Sequence, residues 1–259
     1  MASSVPVEEP VGAPQFEAPD DGVIRIQCWS GPRNISTALM YSWRERPDTS
    51  VYDEPLYAHY LTFDDRGHPG VEATLASQST DANEVIRDVI LGPCETPVFY
   101  IKNMAHHLKG VDRRHLAFTE NILLVRHPES MLASLSVQLP NCDLSDTGLV
   151  QSVELLDAIL AEGGSPLVID SQALLRNPSG VLGQVCDHVG IEFDPTVLSW
   201  EAGPKPEDGA WAPYWYDNVH TSTGFGPPAG PSRPVPDATL PVLEQALPLY
   251  ERLSEYAIS

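Results

Sequence analysis

Residues 23 to 29, Val-Ile-Arg-Ile-Gln-Cys-Trp, alternate apolar and polar side chains with several β-branched members, a pattern that predicts a strand. Beyond the turn Gly31-Pro32-Arg33-Asn34, the residues Ile35, Leu39, Met40 and Trp43 recur at helical spacing, and Ser36 and Thr37 stand at the helix start, where short hydroxyl side chains are favoured. Three further runs, 96 to 103 (TPVFYIKN), 120 to 128 (ENILLVRHP) and 165 to 170 (SPLVID), are short and nearly continuously apolar, as parallel strands buried on both faces are. Helical patterns fill the intervals at 83 to 91, 129 to 138, 147 to 162 and 178 to 189. Strands alternating with helices imply one α/β domain, residues 22 to 259, with a central parallel sheet flanked by helices on both sides. A last amphipathic helix is expected over 238 to 257, with Leu240, Leu243, Leu247, Tyr250 and Leu253 on one face. Residues 1 to 21 have no apolar period and read as a disordered acidic leader, and the proline-rich stretch 201 to 237 resists a periodic reading.

Composition narrows the partners. The 259-residue chain carries 36 acidic against 15 basic residues, a formal net charge of −21, and such a surface repels nucleic acid and anionic membranes. Exposed charges beyond roughly 8 Å are largely screened at physiological salt, so a few local cations can still make an anion site. Only three lysines occur, Lys102, Lys109 and Lys205, which makes each internal basic residue informative. No apolar run reaches the roughly 20 residues of a membrane span, and the N-terminus lacks signal-peptide character, so a cytoplasmic protein is expected. Cys28, Cys94, Cys142 and Cys186 are scattered without metal-binding spacing and read as reduced, structural thiols.

In parallel sheets ligands bind beyond the carboxyl ends of the strands, and Arg33, Lys102 and Arg126 are expected there. A helix start offers unpaired main-chain N–H groups and a positive dipole end; Arg33 with the Ser36 and Thr37 hydroxyls adds donors suited to phosphate or sulfate oxygens. The nucleoside triphosphatase loop GxxxxGK[ST] is missing, and the strand at 120 to 126 ends in Arg126 where a magnesium-binding aspartate would stand, so metal-dependent ATP hydrolysis is disfavoured.

Two segments, in the right order on the right elements, resemble the sulfotransferases that use 3′-phosphoadenosine-5′-phosphosulfate (PAPS). Pro32-Arg33-Asn34-Ile35-Ser36-Thr37 matches the outline of their 5′-phosphosulfate loop, and LVRHPESMLASL supplies Arg126 with Ser134 eight residues on, like their 3′-phosphate pair. The resemblance runs from about residue 23 to 200. It implies a three-layer P-loop-like fold, PAPS as co-substrate without a metal, and a small-molecule acceptor with a hydroxyl or amine. By position it implies that Arg33, Asn34, Ser36, Thr37, Arg126 and Ser134 bind the nucleotide. Asn34-Ile35 replaces the usual Ser-Gly pair, so a side chain sits where the family has glycine. The glycine-rich C-terminal segment of cytosolic members is not visible, and Ser222 and Thr223, with His220 nearby, stand in its place.

Two stretches offer the acceptor's base. Lys102 followed by His106 and His107 is similar to the lysine and histidine pair of cytosolic members; Glu54, 21 residues after Arg33, is placed like the base glutamate of tyrosylprotein sulfotransferases. The resemblance implies that Arg33 and Lys102 stabilise the leaving group and that Glu54, or else His107, takes the proton. Capping of a helix by Glu54 and a structural role for the histidines stay open at this point. So do two other functions, a noncatalytic nucleotide binder and a divergent P-loop kinase.

Overall fold

The computed structural model of the chain describes residues 16–64, 67–161, 163–227 and 233–258. The elements follow in the order β1 Ile24–Ser30, α1 Ser36–Arg44, β2 Thr49–Asp53, α2 Tyr57–Leu61, α3 Val71–Ser77, α4 Ala82–Val85, β3 Val98–Met104, β4 Glu120–Val125 and α5 Pro128–Leu135. Then come α6 Leu149–Ala161, β5 Leu167–Asp170, α7 Ser171–Arg176, α8 Pro178–Val189, α9 Ala212–Trp215, α10 Asp217–His220, α11 Leu240–Ser254 and β6 Ala257–Ile258. All the strands pair in parallel, in the order β2-β3-β1-β4-β5-β6.

Strict alternation along the strands feeds two cores. Ile26 and Cys28 of β1, Val98 and Tyr100 of β3, and Ile122 and Leu124 of β4 pack with Leu39 and Trp43 of α1 and with Val181 and Val185 of α8. The neighbouring residues Trp29, Phe99, Ile101, Leu123 and Val125 point to the other face and pack with Leu132 of α5, Leu156 of α6 and Ala246 of α11. The expected α/β architecture of a parallel sheet between helical layers is therefore the one observed. None of the described helices is long and apolar enough to cross a membrane. The four cysteines are free thiols, three of them buried.

The details differ from expectation where pairing reaches beyond a local pattern. Lys102 does not end its strand: β3 continues through Asn103 and Met104, which stay in register with Trp29 and Ser30 of β1. The helix expected over 83 to 91 is short α4 followed by a π-helical turn, Ile86–Ile90. The last helix stops at Ser254, and the residues after it form β6 against β5. Of the acidic leader, residues 1 to 15 lie outside the described residues; Phe16 packs edge-on against His115, and Asp21 pairs with Arg25 at 2.6 Å.

Because β1 lies between β3 and β4, the loops leaving those three strands open on the same side of the sheet.

Candidate active site

A cavity of about 480 Å³ lies at those strand ends, lined among others by Arg33, Glu54, Lys102, His107, Arg126 and Ser134. Ser36, Thr37, His106 and Ser222 also face it. Two residues expected to bind a ligand are turned elsewhere. Asn34 is 2% exposed and its Nδ2 donates to the main-chain oxygen of Leu124 at 3.2 Å, latching the loop to β4. Thr223 is not part of the lining, and its main-chain oxygen accepts from Trp200 N at 3.1 Å.

The loop between β1 and α1 is shaped by close approach and by unusual backbone. A Cβ on Gly31 would fall 2.2 Å from the main-chain oxygen of Thr147, so only glycine fits under that turn. Arg33 and Ile35 take φ of 62° and 65°, the left-handed region that disfavours β-branched residues, so the loop keeps at Ile35 the bend that a glycine would make without strain. No side chain caps the first turn of α1, which leaves its N–H groups toward the cavity.

Among the described residues, no carboxylate forms an ion pair with the cationic wall. Arg25, Arg44, Arg46 and Arg113 each pair with a carboxylate, whereas Arg33 and Arg126 pair with none of the described ones. Arg33 Nε donates to Ser134 Oγ at 3.0 Å, and the Ser134 hydrogen has no acceptor among the described residues. Burial pushes the Arg33 pKa down; burial and then the charge of Arg33 push that of Arg126 down, with Asp170 opposing. Two crowded, desolvated guanidinium groups are the signature of a place built for an anion.

Across the cavity, Glu54 is 6% exposed and sits just past the end of β2 at φ 41°. Its main chain is held on both sides: Glu54 N donates to Lys102 O at 2.8 Å, and Gln78 Nε2 donates to Glu54 O at 2.9 Å. Glu54 Oε1 accepts from Lys102 Nζ. Oε2 faces His107 Nδ1 at 3.9 Å, and that nitrogen has no hydrogen-bond partner among the described residues. Burial raises the Glu54 pKa to about 7, Lys102 opposing and Asp53 adding to the shift. Burial, then His106 and Lys102, hold His107 well below its usual value, so it is neutral. The imidazole lies between Tyr57 and Tyr60, with ring centroids 4.7 and 4.8 Å away and interplanar angles of 12° and 27°.

Lys102 is 1% exposed, and its ammonium faces Asp53, Glu54 and Tyr216. The expectation that it reaches a leaving group meets a different arrangement: all its hydrogens have acceptors within the protein, because in-register Asp53 and neighbouring Glu54 both converge on it. Asp53 and Tyr216 carry no assigned role in the sequence reading; the acid doublet Asp53-Glu54 beside a lone strand lysine is the available signal for Asp53, and the aromatic run Trp211, Tyr214, Trp215 and Tyr216, a candidate pocket lining, is the only one for Tyr216. Among the described residues, no group of three or more His, Cys, Asp or Glu side chains has the arrangement to hold a metal ion.

A family model described as a sulfotransferase domain matches residues 24–257. Branched-chain-amino-acid aminotransferase-like proteins 2 and 1 of Arabidopsis thaliana are 36% and 37% identical over 88% and 89% of the chain. The chain spans only 41% and 42% of their lengths. The solved sulfotransferase domain of the Synechococcus PCC 7002 olefin synthase superposes with a TM-score of 0.51 at 19% identity, covering 90% of this chain and 98% of that one.

Proposed function

Because the chain belongs to the sulfotransferase domain family, we propose that it moves the sulfuryl group of PAPS to a hydroxyl or amine of a small-molecule acceptor. The observation that carries this reading is the pair of unpaired guanidinium groups, Arg33 and Arg126, on the same cavity as the buried carboxylate of Glu54. The residues present fit the nucleotide. Arg33, Ser36, Thr37 and the uncapped first turn of α1 would hold the 5′-phosphosulfate, and Arg126 with Ser134 the 3′-phosphate. When bound, PAPS supplies the sulfuryl group and leaves as adenosine 3′,5′-bisphosphate.

The protein's own part is positioning and proton transfer. Glu54 Oε2 takes the acceptor's proton; with a pKa of about 7 this carboxylate is matched to neutral pH, being ionised above that value and inert as a base below it. Neutral His107, 3.9 Å from that oxygen, orients the acceptor. Arg33 faces the cavity with Nη groups that have no protein acceptor among the described residues, available to negative charge as it builds on the leaving group.

Calorimetry with adenosine 3′,5′-bisphosphate against ATP with magnesium, together with turnover of PAPS on phenol and amine acceptors, tests the reading. The bisphosphate is expected to bind selectively, and Glu54→Gln to bind it like the parent protein while turnover falls by about 10²–10⁴-fold. Tight bisphosphate binding without turnover on any acceptor would make the chain a noncatalytic nucleotide binder. A preference for magnesium-ATP would make it a kinase.

A further inference from the structure

The hydrogen bonds around Lys102 form a closed set. An ammonium has three hydrogens, and here they meet Asp53 Oδ1 at 2.9 Å, Tyr216 OH at 2.6 Å and Glu54 Oε1. The Tyr216 hydroxyl is used up as well: it donates to Asp53 Oδ2 at 2.7 Å and accepts from Lys102 and from Trp211 Nε1, the latter at 3.0 Å. Asp53 Oδ2 takes a further hydrogen from Gly209 N at 3.1 Å. Asp53, Lys102 and Tyr216 are all at most 4% exposed, and Lys102 and Tyr216 form the cavity wall beside the carboxylate of Glu54. The network's members come from three parts of the chain: the end of β2, the interior of β3 and the segment that follows α9.

We propose that Asp53, Lys102 and Tyr216 act as one clamp on Glu54, fixing Oε1 and leaving Oε2 as the oxygen open to the acceptor. Lys102 is then a positioning residue for the base and not a ligand of the transferred group, and Tyr216 ties the irregular segment after α8 to the base. The proposal rests on Glu54 being the proton acceptor. It differs from a purely structural role because the clamp also sets how readily Glu54 takes a proton.

The groups that face Glu54 are Asp53 from β2, Tyr57 from α2, Lys102 from β3, His107 from the turn after β3, and Tyr216. His107 is neutral, so Lys102 is the cation among them, and Asp53 is the competing anion. Removing the Tyr216 hydroxyl takes from Lys102 one of its three acceptors and from Asp53 its hydroxyl donor, which loosens the ammonium's hold on ionised Glu54. Removing the Asp53 charge takes away a repulsion and leaves Lys102 to Glu54 alone.

Infrared difference titration of the Glu54 carboxyl, with the Glu54→Gln protein as reference, reads this directly on the full chain without any sulfuryl donor. Tyr216→Phe is expected to raise the titration midpoint and Asp53→Asn to lower it, each by roughly one pH unit. In parallel, Tyr216→Phe is expected to lower kcat by about tenfold or more with adenosine 3′,5′-bisphosphate affinity within a few fold. Opposite shifts in the two variants support the clamp whether or not PAPS is turned over, so a failed turnover assay would count against the sulfotransferase reading alone. A midpoint that stays put in Tyr216→Phe, with the protein folded by circular dichroism, overturns the proposal. So does a shift of the same sign in both variants.

Discussion

Arg126 donates through Nη1 to the main-chain oxygen of Arg33 across 2.7 Å. The donor directly follows β4 and the acceptor lies in the loop after β1, so the two loops that form the cationic wall brace each other. Arg33 returns the link through its Nε to Ser134 in α5. One guanidinium thus fixes the backbone that aims the other, and the remaining hydrogens of both face the cavity.

Arg126→Ala is expected to weaken adenosine 3′,5′-bisphosphate by roughly tenfold or more, since a hydrogen bond to a charged group contributes about 1.5–3 kcal/mol. Binding of 5′-AMP, which lacks the 3′-phosphate, should fall much less. Calorimetry with both ligands checks this, and equal losses would take Arg126 away from the 3′-phosphate. Arg126→Lys should recover only part of the loss, because a lysine keeps the charge but not the fork that also holds the Arg33 carbonyl.

At Ile35 the backbone makes the opposite demand from the side chain. Its φ of 65° favours glycine, while the side chain packs against the core on the α1 face of the sheet. Both Ile35→Ala and Ile35→Gly lose that packing, but only glycine relieves the left-handed conformation, which costs an L-residue roughly 1–2 kcal/mol. The glycine variant is therefore expected to be the more stable of the two in urea unfolding by about 1 kcal/mol, against the usual order in a helix or strand. The reverse order would mean that the loop does not hold this bend in solution.

Glu54 also links stability to pH. Its carboxyl is raised from 4.5 to about 7 in the folded protein, so over that interval the unfolded chain releases this proton first and folding loses support as pH rises. Glu54→Gln cannot titrate. The melting temperature of the variant relative to the parent is expected to climb between about pH 4.5 and 7 and to level off above that range. A constant difference across the range would show that the folded carboxyl titrates normally.

Much of the frame was legible because it is local. The apolar runs of β3, β4 and β5 are buried on both faces, so they need no partner to be recognised, and Arg33 and Arg126 can be placed at strand ends by counting from them. Edge pieces were not. β2 has five residues, Thr49-Ser50-Val51-Tyr52-Asp53, too polar to stand out, and β6 has two. The clamp is less legible still: Tyr216 meets Lys102 across 114 positions and Asp53 across 163, from a proline-rich stretch with no period to read. Ile35 shows the converse, since its side chain argues against a left-handed conformation that the backbone adopts there nonetheless, at φ 65°.

The facing of Asp53 and Lys102 has a bearing on how the sheet assembles. β2 is an outermost strand, held by β3 alone, and strands so placed are the ones most prone to pair one residue out of step. A slip of one position would turn Val51 out of the hydrophobic core and carry Asp53 to the opposite face, leaving a buried ammonium short of an anion. A displaced pairing would thus be penalised twice, by apolar surface and by charge. The ion pair distinguishes the true alignment from a displaced one whether or not a ligand is bound.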